Sequence, residues 1–189
     1  MSTPVIAPKF HHVNLKTRRV QELIDWYAVV LGTKVTFQGP AGAWLTNDEA
    51  NHRIALLAGP DFADDPERET RAGMHHSAFE YDSFEDLNAS YERLKDAGIE
   101  PEFCLDHGMT LSYYFKDPDG NRVELQVDAF GDWTASAKWM RTSEHFAANP
   151  IGVFVDPSKL AAASAAGAGF EDIHTAAMAG EFVPDPMEA

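Results

Sequence analysis

The chain has 189 residues, 44% of them hydrophobic, and a formal net charge of −15. That length supports one well-buried domain or two small fused modules, and the acidity disfavours nucleic acid or an anionic membrane as partner, since both recruit clustered Lys and Arg. A single cysteine, Cys104, excludes an internal disulfide and a thiolate metal site. No stretch reaches the roughly 20 apolar residues of a membrane span, and MSTPVIAPKF has no signal-peptide pattern, so a soluble, unprocessed protein of the reducing cytosol is expected. A small neutral or weakly acidic ligand suits such a chain.

The first patterned segment is FHHVNL at 10–15, read as a strand. Val20, Leu23, Ile24, Tyr27 and Leu31 then fall at helical spacing before Gly32. Strand-like runs follow at 34–38, 43–46 and 53–58. Residues 59–73, rich in Asp, Glu, Pro and Arg, read as an exposed linker. The pattern then restarts: MHHSAF at 74–79 repeats FHHVNL, Phe84, Leu87, Tyr91 and Leu94 give a second helix before Gly98, and strands are predicted at 101–105, 111–115 and 122–127. Asp117-Pro118-Asp119-Gly120 supplies a hairpin turn between the last two.

The order is βαβββ twice, which predicts an α+β fold of two modules, about 8–60 and 72–130, pairing into one open, barrel-like cleft. Residues 131–189 belong to neither repeat and read as a C-terminal extension packing on that domain. Within it 133–145 looks helical, 149–157 irregular, and 160–169 is rich in Ala, Ser and Gly, suited to a loosely packed helix or a protomer contact. A homo-oligomer is expected. Trp133 and Trp139 read as tail packing residues, and His145 and His174 have no partners at ligand spacing.

Side chains two apart on a strand share a face. In 122–127 Val123, Leu125 and Val127 form the apolar face, which leaves Arg122, Glu124 and Gln126 opposite. The same parity sets His12 with Phe10 and Asn14, and His76 with Met74 and Ala78, on the less apolar sides. A lone strand histidine is ordinarily structural. Two at matching points of a duplication, with a Glu on an inner strand of the second copy, make a ligand set of two imidazoles and a carboxylate. That set leaves coordination positions open and suits non-haem Fe(II).

F-H-H-V-x-L, M-H-H-S-A-F-E and D-P-D-G-N-R-V-E-L together resemble the vicinal oxygen chelate (glyoxalase/bleomycin resistance/dioxygenase) superfamily. Within it they resemble the small, one-domain type I extradiol dioxygenases. The resemblance implies metal ligands at His12, His76 and Glu124, catalytic residues at His52, Tyr114 and His107, and a cofactor Fe(II), with Mn(II) as the alternative. It further implies a small aromatic diol and O2 as substrates, 2,3-dihydroxybiphenyl or a simpler catechol, in aromatic-compound degradation. His52 carries a warning from strand parity, because it sits an odd step from Ala55, the repeat counterpart of Glu124. A glyoxalase-type isomerase would place a fourth ligand at Ala55. A drug-sequestering resistance protein would have no use for three convergent ligands.

Overall fold

The structure is a computed structural model and describes residues 5–185. It divides into two compact units: one runs to Gly73 and includes Asp117–Gly120, the other comprises Met74–Lys116 and the chain from Asn121 onward.

In the first unit β1 (Val13–Thr17), α1 (Val20–Leu31), β2 (Lys34–Gly39), β3 (Gly42–Thr46) and β4 (Ile54–Ala58) build a four-stranded open sheet ordered β1-β4-β3-β2. β1 and β4 run parallel, the other neighbours antiparallel. α1 forms because its apolar residues recur at helical spacing. It buries Leu23, Ile24, Tyr27 and Val30, each worth about 1.5–3 kcal/mol in transferred side-chain surface. The Tyr27 hydroxyl donates to Asp117 Oδ2 at 3.0 Å and Arg19 pairs with Asp119, which is why the Asp-Pro-Asp-Gly turn belongs to this unit. The linker 59–73 is largely exposed, with one 3-10 turn at Arg68–Thr70.

The second unit repeats the plan. β5 (His76–Tyr81), α2 (Phe84–Asp96), β6 (Phe103–Asp106), β7 (Thr110–Lys116) and β8 (Arg122–Asp128) give the order β5-β8-β7-β6, with β5 and β8 parallel. Ser83 caps α2 by accepting from Asp86 N at 3.1 Å, a contact worth about 1 kcal/mol. The buried face of α2 itself is formed by Phe84, Leu87, Tyr91 and Leu94.

The C-terminal region adds α3 (Trp133–Thr142), α4 (Glu144–Ala148), β9 (Val153–Phe154), α5 (Pro157–Ala165) and α6 (Phe170–Met178) to this unit. The stretch expected to be irregular holds β9, which extends the sheet beyond β6 through Leu105↔Phe154 and Asp106↔Val153. Two residues carry no periodicity, so only the neighbouring strand edge defines it. The Ala-rich run forms most of α5, started by Asp156 accepting from Ser158 N with Pro157 in the first turn. Trp133 departs from its expected role: it is 71% exposed and reaches Glu80 through Nε1. Trp139 does pack, against Phe130 and Phe146. Among the described residues no helix is long and apolar enough to cross a membrane.

Candidate functional site

Both histidine doublets straddle or precede the start of a strand. β1 begins at Val13 and β5 at His76, so His11, His12 and His75 lie on the approach. The first doublet is tied down from the far strand of the parallel pair, where Val13 N donates to Arg53 O at 3.0 Å and Arg53 Nη1 to His11 O at 2.9 Å. Arg53 is itself fixed by Asp48 at 2.8 Å.

This arrangement settles the geometry of His52. β4 starts at Ile54, so strand parity does not govern a residue two positions earlier. The His52 ring centroid lies 4.4 Å from that of His12 and 5.1 Å from that of His11. Nitrogens of the three imidazoles lie within 4.8 Å of one another, a spacing at which they could share a metal ion. Partial burial, followed by the neighbouring His12 and His11 charges, pushes His52 below its ordinary value of 6.5. His52 is therefore a neutral imidazole at neutral pH.

In the second unit one continuous file of polar groups crosses the sheet. His76 Nε2 lies 2.8 Å from Glu124 Oε2. Tyr114 stands directly opposite Glu124 in the β7–β8 ladder, and its hydroxyl donates to Glu124 Oε1 at 2.8 Å. His107, on the turn between β6 and β7, places Nε2 2.8 Å from the same hydroxyl and Nδ1 2.6 Å from the carbonyl of Ile151. A carbonyl only accepts, so this contact requires the proton on His107 Nδ1.

Glu124 is only 4% exposed. Burial pushes its carboxyl up, but the hydrogen bonds from His76, Ser112 and Tyr114 outweigh that and leave it below the usual range, hence ionised. Burial and the adjacent carboxylate push the Tyr114 phenol well up, which keeps it protonated. Beside this file Glu102 pairs with Arg122 at 2.8 Å and with Lys116 at 2.6 Å, and the Arg122 hydrogen bond, aided by Lys116, lowers it to about 2.

The structure thus brings His52 to His12 in the first unit, and His76, Glu124, Tyr114 and His107 together in the second. The register also gives Ala55 its exact counterpart. Ala55 pairs with Asn14 and Trp44 as Glu124 pairs with Ala78 and Tyr114. Sequence reasoning missed Ser112, the Ile151 carbonyl and the partner of His174. Nothing in their local spacing marks them, because each contact joins segments remote in the chain; for Ser112 alone, parity with Tyr114 on one strand was an available signal.

The model of the Glyoxalase/Bleomycin resistance protein/Dioxygenase superfamily matches residues 9–125. The chain is 43% identical over 179 residues, 95% of its length and 93% of the relative's, to biphenyl-2,3-diol 1,2-dioxygenase 2 of Rhodococcus globerulus. It is 39% identical, over 92% of its length and 91% of the relative's, to biphenyl-2,3-diol 1,2-dioxygenase 3 of the same organism. Among solved structures, a glyoxylase/bleomycin resistance protein/dioxygenase domain from Frankia sp. EAN1pec superposes with a TM-score of 0.53 at 24% identity. It covers 65% of this chain and 93% of the other, and supports the fold alone.

Proposed function

This chain belongs to the glyoxalase/bleomycin resistance protein/dioxygenase superfamily, and within it we propose that it catalyses extradiol cleavage of a catechol-type ring with O2. The substrate is 2,3-dihydroxybiphenyl or a simpler catechol, the setting aromatic-compound degradation. The observation that carries this reading is 43% identity across 95% of the chain to a biphenyl-2,3-diol dioxygenase, combined with the His76–Glu124–Tyr114–His107 file.

His12, His76 and Glu124 are assigned as the ligands of Fe(II), with Mn(II) as the alternative. The residues present fit such an ion: a buried carboxylate is held ionised beside an imidazole nitrogen at 2.8 Å, and two imidazoles with one carboxylate are the donor set for Fe(II) with open positions. Bound there, the metal would hold diol and O2 side by side and pass electrons between them. Ala55 offers no further ligand at the register position of Glu124, which favours this reading over a glyoxalase-type isomerase.

The protein's own groups divide the remaining work. His52, neutral at neutral pH, accepts a proton from a substrate hydroxyl. Tyr114, kept protonated, orients Glu124 through its one hydroxyl proton and, with substrate bound, would turn that proton to a substrate oxygen. His107, with Nε2 against the Tyr114 oxygen, holds the phenol in place and helps wall off the diol.

The test is direct. Protein loaded anaerobically with Fe(II) and mixed with 2,3-dihydroxybiphenyl or catechol in air turns yellow as the ring opens, and the product is identified by mass. No product across a panel of catechols overturns the proposal.

A further inference from the structure

His174 sits on α6, 20% exposed at its side chain, and its Nδ1 lies 2.7 Å from Oδ2 of Asp106. Asp106 is fully buried at the end of β6. Its other oxygen accepts from Gly108 N at 2.8 Å. One buried carboxylate therefore ties the last helix to the turn that carries His107.

The C-terminal region grips that turn at three more points. Val153 on β9 pairs with Asp106. Gly108 lies so close under Trp139 of α3 that a Cβ there would meet its ring at 2.3 Å. Gly152, at φ 90, brings its backbone against Asp106 so tightly that a Cβ would come within 2.0 Å of the Asp106 carbonyl oxygen. This approach presents the neighbouring Ile151 carbonyl to His107 Nδ1.

We propose that Asp106 and His174 are positioning residues for His107: through them the C-terminal region locks the 106–110 turn so that the Ile151 carbonyl fixes the proton on Nδ1 and Nε2 faces Tyr114. A turn-borne imidazole is otherwise free to rotate and to exchange tautomers. A buried hydrogen bond between histidine and carboxylate removes that freedom, because losing it leaves Oδ2 of the buried Asp106 without its donor. The catalytic consequence rests on the ring-cleavage proposal; the positioning does not.

The experiment uses the full-length chain with His174→Leu, which removes the donor, and His174→Asn, whose amide restores one at the same point. In metal-free protein, long-range 15N–1H NMR is expected to show His107 protonated at Nδ1 in the wild type, shifted towards a tautomer-averaged ring in His174→Leu, and returned in His174→Asn. With Fe(II) and 2,3-dihydroxybiphenyl, His174→Leu lowers kcat about 10-fold while iron content holds and KM stays within about twofold, and His174→Asn recovers most of the loss. If His174→Leu fails to fold, Asp106→Asn, which keeps an oxygen for Gly108 N but weakens the bond to His174, supplies the same readout. A folded variant whose His107 shifts match the wild type overturns the positioning role, whatever its activity. Wild-type protein that cleaves no catechol while the NMR changes appear defeats the ring-cleavage proposal and leaves the positioning standing.

Discussion

The two repeats share a frame and differ at the positions that do chemistry. Each has a parallel outer pair, an antiparallel inner ladder and a helix that buries a leucine fully at its fourth residue, Leu23 or Leu87. Each has an Arg beside its histidine doublet: Arg53, just before β4, donates to the His11 carbonyl, and Arg122 on β8 pairs with His76. Yet where the second repeat has Glu124 opposite Tyr114, the first has Ala55 opposite Trp44. The duplicated hydrophobic pattern preserves the fold, and a carboxylate is retained in one copy, where His76, Tyr114 and Ser112 offset the cost of burying it.

The largest test of that asymmetry is Glu124→Ala, which should abolish bound iron and lower ring cleavage by about three orders of magnitude while the far-ultraviolet circular dichroism is unchanged. Metal analysis beside activity checks it; full iron content would remove Glu124 from the ligand set.

His76→Ala should likewise lose iron, whereas His11→Ala should keep it. The opposite pattern would place the metal on the His11–His12–His52 cluster of the first unit.

Tyr114→Phe should retain iron and lower kcat about 10- to 100-fold, while Trp44→Phe, at the equivalent ladder position, should change kcat by less than about twofold. Comparable losses from both would mean that the two repeats contribute alike.

The smallest effect concerns protonation. His52 binds its proton more weakly folded than unfolded, so its contribution to stability is intact above 6.5 and is lost as pH falls through the lower folded value. An NMR titration of metal-free protein should therefore place His52 below 6.5, and His11→Ala, by deleting one neighbouring charge, should move it back up. An unmoved midpoint would rule out His11 as a cause.

The sequence by itself determined the repeated βαβββ order, the helices and the face of Glu124. Each rests on local periodicity: apolar residues at helical spacing in 20–31 and 84–94, and alternation in 122–127. The repeat also fixed the equivalence of His12 with His76 and of Ala55 with Glu124. Tertiary structure decided the rest. Parity spoke against His52, but the strand begins two residues later and the ring turns to His12. His174 had no companion at ligand spacing because Asp106 is 68 residues away, and β9 had no pattern because two residues cannot show one. Periodicity reports which side of an element faces the core. Which remote groups a polar side chain meets depends on how loops and strand ends are brought together, and no local spacing encodes that.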